Sequence, residues 1–215
     1  GCDYHGWQIQ PGEVTVQGVL TEALRNLLGP RARICGASRT DAGVSALGQV
    51  GLIQTRYRHE HELTDEQLAK VAVTTRFHAS LHPGAIYRTP ITVDDYLNSR
   101  VLSSPLRLLD CVPIVNGGMA YVVTSAATAR KLTDRPVYLL GCGEANNYSR
   151  GARSRPDVTY TGFAQCAPEA FRMAGVLHDD VDLFQPYDDY PFVVVMQLED
   201  CGFCKKGQGG KFVEE

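Results

Sequence analysis

Three groups of residues carry side chains able to do chemistry. The first is Ser38-Arg39-Thr40-Asp41-Ala42-Gly43-Val44-Ser45-Ala46-Leu47-Gly48-Gln49-Val50, which sets a guanidinium two residues from a carboxylate. That arrangement favours the anionic acid and can grip a phosphate. The same pair also composes an ordinary ion pair on a solvated turn, which is worth little. The second group, Cys201-Gly202-Phe203-Cys204, has the spacing of a redox dithiol. Reactive dithiols sit at helix N-termini, where the dipole favours the thiolate. This pair follows an apolar run and contains a C-cap type glycine, so structural thiols are expected. The third group is histidine: His59 and His61, then His78 and His82 one helical turn apart. Neither pair has a nearby third ligand, and zinc wants three or four. No metal site is expected.

The elements that must position these residues follow from apolar spacing. Thr15 caps a helix over residues 15–28, with Val16, Val19, Leu20, Ala23, Leu24, Leu27 and Leu28 on one face, closed by Gly29-Pro30. Strand-like runs at Arg33–Ala37 and Val50–Ile53 flank the Asp41 string, which places that carboxylate on a loop. Tyr57–Glu62 reads as a solvated polar run, and Thr64 starts a helix through Arg76. Short strands are expected at Ala120–Thr124, Val137–Cys142 and Val181–Phe184. Helices are expected at Ala126–Leu132, Pro168–Ala174 and Phe192–Asp200. Val193, Val194, Val195, Met196 and Leu198 cover nearly every side of the last one, which requires protein around it. Alternation of strands and helices indicates an α/β layer structure.

With 215 residues and 44% apolar content, the chain can bury a sizeable core. Its net charge of −3 and pI of about 6.1 exclude a chain-wide electrostatic attraction to nucleic acid. Within residues 1–55 the cations Arg25, Arg31, Arg33 and Arg39 are balanced by Asp3, Glu13, Glu22 and Asp41. No apolar run approaches the roughly 18 residues of a membrane helix. Seven scattered cysteines, an odd number, point to a reduced, cytoplasmic setting.

The string around Asp41 resembles the catalytic loop of the tRNA pseudouridine synthases that modify the anticodon stem-loop, which reads G-R-T-D-A-G-V-H-A-L-G-Q-V. Ser38 and Ser45 depart from it at the glycine and the histidine. His5-Gly6-Trp7-Gln8-x-Gln10 and Thr15-Val16-Gln17-Gly18 also match that family, in order. The resemblance covers residues 1–55 and implies uridine isomerisation in tRNA. Asp41 would be the nucleophile or assist glycal formation beside a flipped base, and Arg39 and Thr40 would be substrate contacts. It calls for no metal and no redox cofactor. The family's second half, with its base-stacking tyrosine, is not visible after Arg56.

Residues 56–215 are similar to the thiolase-like proteins of the sterol-carrier and lipid-transfer branch. The likeness rests on Ala85-Ile86-Tyr87-Arg88, on Pro105-Leu106-Arg107-Leu108-Leu109-Asp110-Cys111 and on Gly117-Gly118-Met119-Ala120-Tyr121. The tail Leu198-Glu199-Asp200-Cys201-Gly202-Phe203-Cys204 extends it. Tyr187-Asp188-Asp189-Tyr190 stands where that branch carries H-D-x-F or Y-D-x-F, which implies that Tyr187 and Asp188 line an acyl-CoA pocket. Asp189 and Pro191 depart from the pattern. The nucleophilic cysteine and the glycine-histidine-proline loop of thiolases have no counterpart here, so no thiolysis is expected.

The expectation is therefore a composite: a partial pseudouridine synthase α/β unit (1–55) joined to an incomplete thiolase-like α/β layered domain (56–215). Its candidate ligands are tRNA and acyl-CoA or lipid. An incomplete layer would leave an uncovered face and promote self-association.

Overall fold

Helices dominate the computed structural model, which describes residues 9–28, 30, 46–113, 122–145 and 157–215. The backbone divides into two units, Gly1–Leu52 and Ile53–Glu215. The Asp41 loop with Arg39 and Thr40, the Arg33–Ala37 run and the start of the Ala120–Thr124 run lie outside the described residues.

In the first unit, α1 runs Val16–Leu28. It starts where expected: the buried Thr15 accepts a hydrogen bond from the Gly18 amide at 3.2 Å through its hydroxyl. Val19 and Leu20 of the apolar face are exposed, whereas Thr21 is buried. The Val50–Ile53 run is not a strand. It belongs to α2, Ala46–His61, which also absorbs most of the polar run expected to be solvated. Periodicity explains the difference. Gln54, Tyr57 and His61 recur at three- and four-residue spacing on an inward stripe, while Arg56 and Glu60 pair outside. Tyr57 is only 1% exposed.

The second unit continues with α3, Asp65–Leu81, five residues longer than expected from the sequence. A reciprocal box starts it: the Gln67 amide donates to Thr64 Oγ1 at 3.2 Å, and the Thr64 amide to Gln67 Oε1 at 3.1 Å. Leu68, Ala69, Val71 and Ala72 bury one face. The same device starts α4, Val93–Leu97, where Thr92 and Asp95 exchange bonds. A two-stranded antiparallel pair follows, β1 (Val101–Ser103) with β2 (Leu106–Arg107), Val101 facing Arg107. Arg107 ties this pair down, since its guanidinium donates to Leu97 O at 2.8 Å and to Asp65 at 3.1 Å.

Helix α5, Ala126–Leu132, falls where expected, capped by Ser125. Helix α6, Phe163–Ala174, extends the Pro168–Ala174 expectation toward the N-terminus and ends at Gly175 with φ +68. Helix α7, Pro191–Asp200, is the centre of the unit. Proline stands in its first turn, where no amide partner is lost. Val194, Val195, Met196 and Leu198 are buried, at about 1.5–3 kcal/mol each. It packs against α3, α6 and the short α8, Gly209–Phe212.

The three remaining strand expectations fail in the described residues. Val122–Thr124, Val137–Cys142 and Val181–Phe184 have no ladder, and Val137 is 96% exposed. A strand needs a second extended segment to supply donors and acceptors, and apolar composition does not report whether one is present. Residues 141–145 lie instead along α6. A Cβ added at Gly141 would stand 2.2 Å from Ala170 O, and one at Gly143 would stand 2.5 Å from Cys166 O. The described architecture is thus mixed α/β and mainly helical, without the expected layered sheet.

Candidate functional site

Two cavities flank α3 and α7, each of about 530 Å³. The first is walled by Val71, Ala72 and Thr75 of α3, the 84–91 loop, and Pro191 and Val194 of α7. The second uses Val71, Thr75 and Val194 again, closed by Phe184, Leu198 and Phe212. Asp188 lines both. Both are mostly apolar, with a few polar groups, in the size range of small-molecule sites.

Local structure places the polar groups. Arg76 lines the first cavity, its guanidinium donating to Thr89 O at 3.1 Å and lying 5.4 Å from the Tyr87 ring centroid. Below it, the buried Tyr96 hydroxyl donates to Asp110 Oδ1 at 2.5 Å, and the Arg107 amide to Asp110 Oδ2 at 2.6 Å. Burial still raises the Asp110 carboxyl above the usual range, against the pull of those two bonds. Burial likewise raises the Cys111 thiol and the Asp189 carboxyl.

Of the residues singled out from sequence, Asp188 sits in a cavity wall. Tyr187 is adjacent and 68% exposed, and its backbone is held by Gln197. Arg39, Thr40 and Asp41 lie outside the described residues. Cys201 and Cys204 follow α7, Gly202 between them having φ +89, and burial pushes both thiols up to about 11. His78 and His82 are exposed, and among the described residues no group of three or more His, Cys, Asp or Glu side chains is placed to hold a metal.

A buried polar network had no counterpart in the sequence reading. Glu199 Oε1 accepts from Tyr57 Oη at 2.5 Å, from the Gly207 amide at 2.9 Å and from the Gly209 amide at 2.8 Å. Lys206 Nζ bridges Glu199 Oε2 at 3.2 Å and Asp200 Oδ1 at 2.9 Å, above the Tyr160 ring. Asp200 Oδ2 in turn accepts from the Thr161 amide and hydroxyl at 2.6 and 2.8 Å. The glycine-rich tail resembles an anion cradle, and the anion it holds is the protein's own Glu199. The available signal was three polar residues, Gln197, Glu199 and Asp200, interrupting an otherwise apolar helix. Buried polar groups must have partners.

Comparison with known proteins accounts for both halves of the sequence reading. The family model described as thiolase C-terminal domain-like matches residues 143–215. The acetyl-CoA acetyltransferase of Methanothermobacter thermautotrophicus is 33% identical over 199 residues, covering 90% of this chain and 52% of the relative. That alignment is too long to fit within residues 56–215 and reaches into the first 55. The solved Ltp2-ChsH2(DUF35) aldolase superposes with a TM-score of 0.75 at 29% identity, over 87% of this chain and 53% of that one. The tRNA pseudouridine synthase A of Azorhizobium caulinodans is 38% identical over 96 residues, 45% of this chain and 34% of the relative. The chain spans about half the length of the thiolase-type proteins it matches. Most of it is similar to thiolase-type acyltransferases and aldolases, and a segment of it is similar to tRNA pseudouridine synthase A.

Proposed function

We propose that the larger unit is a binding module for an acyl-CoA or lipid, seated at the paired cavities beside Asp188. The observation that carries this reading is the mostly apolar lining, with Val71, Thr75 and Val194 shared by the two cavities and Asp188 in the common wall. The thiolase-type likeness supports the ligand class, since the related acetyltransferase is named for acetyl-CoA. No thiolysis is assigned to it. Titration calorimetry with dodecanoyl-CoA, CoA and dodecanoate tests the reading. Binding of the first well above both others supports it. Equal or absent binding of all three refutes it.

The second reading concerns Arg39, Thr40 and Asp41, and the pseudouridine synthase likeness favours it. Asp41 is the inherited nucleophile for uridine isomerisation in tRNA, with Arg39 and Thr40 as substrate contacts. We expect negligible activity from the chain alone. Positioning supplies roughly 7–11 kcal/mol of such a barrier, and the base-stacking tyrosine that would share in it is not recognisable in the sequence after Arg56. Tritium release from C5-labelled uridine in unmodified tRNA measures this directly. Clear release that Asp41→Ala abolishes would overturn the expectation of inactivity.

A further inference from the structure

We infer that Gln197 is a positioning residue that fixes the Tyr187–Asp188 backbone where the two cavities meet. The inference rests on the binding role proposed for those cavities, and its geometry stands apart from that role.

Gln197 lies on α7 and is 1% exposed. Its Oε1 accepts from the Tyr187 amide at 2.9 Å, and its Nε2 donates to the Tyr187 carbonyl at 2.7 Å. One side chain thereby satisfies both backbone groups of one residue, as a neighbouring strand would. The second Nε2 hydrogen goes to Val193 O at 3.1 Å. The amide's donors are then used up, and nothing about the group is free to turn.

The residue type follows from this. Glutamate in its charged form accepts but cannot donate to the Tyr187 carbonyl. Leucine does neither, and asparagine is one methylene too short to reach from the same turn of the helix. A merely apolar contact would have suited the surrounding helix better, since Val194, Val195, Met196 and Leu198 are buried around it. A glutamine there costs burial of an amide, which only its paired bonds offset. What those bonds hold is a segment whose own side chains face outward: the Tyr187 ring and the Asp188 carboxylate are exposed. Backbone fixed and side chains free is the arrangement of a recognition edge. Because Asp188 lines both cavities, displacing this segment alters both at once.

The test compares the intact chain with Gln197→Leu and Gln197→Glu. The readouts are amide hydrogen exchange at Tyr187, with Val195 as an internal reference, and affinity for dodecanoyl-CoA. In Gln197→Leu, Tyr187 exchange should rise and affinity should fall, each roughly tenfold, while Val195 stays protected. Gln197→Glu should behave likewise near neutral pH. It should recover as pH falls from about 7.5 toward about 5, because a protonated acid can accept from the Tyr187 amide and donate its one proton to the Tyr187 carbonyl, giving up only the bond to Val193 O. Gln197→Leu should not recover. The unaltered chain over the same range controls for the neighbouring Asp188 and Asp189. Should Gln197→Leu fail to fold, Gln197→Glu carries the test alone. Unchanged Tyr187 exchange in both variants overturns the inference, as does faster exchange with unchanged affinity. If the unaltered chain binds no dodecanoyl-CoA, the binding role fails instead, and Tyr187 exchange still decides whether Gln197 holds the segment.

Discussion

Val195 and Val137 are the same residue type in equally apolar runs, yet one is 0% and the other 96% exposed. Around Val195, α3, α6 and α8 converge, and the polar groups of the same helix find partners in Tyr57, Thr161, Lys206 and the glycine amides. Val137 stands exposed, and its segment lies against α6 further on, at Gly141 and Gly143. Hydrophobic sequence creates a demand for burial and does not meet it. Burial arises where several elements arrive together, and buried polar groups then lock the meeting point.

The sharpest way to break this contrast is to remove the lock. Glu199→Ala leaves a buried tyrosine hydroxyl and two amides without an acceptor and strips Lys206 of one carboxylate. A loss of about 3–5 kcal/mol is expected in urea unfolding; a loss below about 1 kcal/mol would show the network to be incidental.

Core truncation comes next. Leu68→Ala, at a fully buried position, should cost about 2–5 kcal/mol. Leu139→Asp, on the exposed run, should stay within about 0.5 kcal/mol of the parent. Val122, Val123, Val137 and Leu139 are all exposed, so self-association is expected, and Leu139→Asp should weaken it in sedimentation. A parent chain that sediments as a sharp monomer at micromolar concentration would contradict that.

Two aspartates offer a finer comparison. Asp110 is raised by burial, so its contribution to stability is present at low pH and lost as pH rises through its folded pKa, above 3.8. Asp95 is lowered, first by the Thr92 amide, so its contribution holds above 3.8 and is lost as pH falls through its folded pKa. Carbon-13 titration of the two carboxyls should place their midpoints on opposite sides of that value. Midpoints in the reverse order would mean that the bonds from Tyr96 and Arg107, not burial, govern the Asp110 carboxyl.

The smallest effect concerns thiols. At about pH 8, iodoacetamide should modify the exposed Cys142 well before Cys201 and Cys204, whose thiols burial holds near 11. Early labelling of Cys204 would revive the dithiol reading.

Much of the helical framework was legible in the sequence, because its determinants are local. Thr15 and Thr64 announce their helices by capping chemistry within one turn, and the apolar circumference of Phe192–Leu198 announces a buried helix. Other features depended on distance. Tyr57 looked solvated because its partner, Glu199, is 142 residues away. Asp188 was singled out by resemblance, but its place between two cavities needed α3 and α7 to meet. Gln197 gave no signal beyond being polar in an apolar helix.

Local spacing in the sequence alone determined where α1, α3, α5 and α7 start and which helix is central. Resemblance of short motifs to known families marked Asp41, Tyr187 and Asp188 as candidates. Only the tertiary structure decided that Val137–Cys142 and Val181–Phe184 are not strands, and that Glu199 fills the glycine-rich tail. The physical reason is common to both. Caps and helical stripes are satisfied by residues a turn away, whereas ladders and buried charges are satisfied only by segments the chain brings from afar.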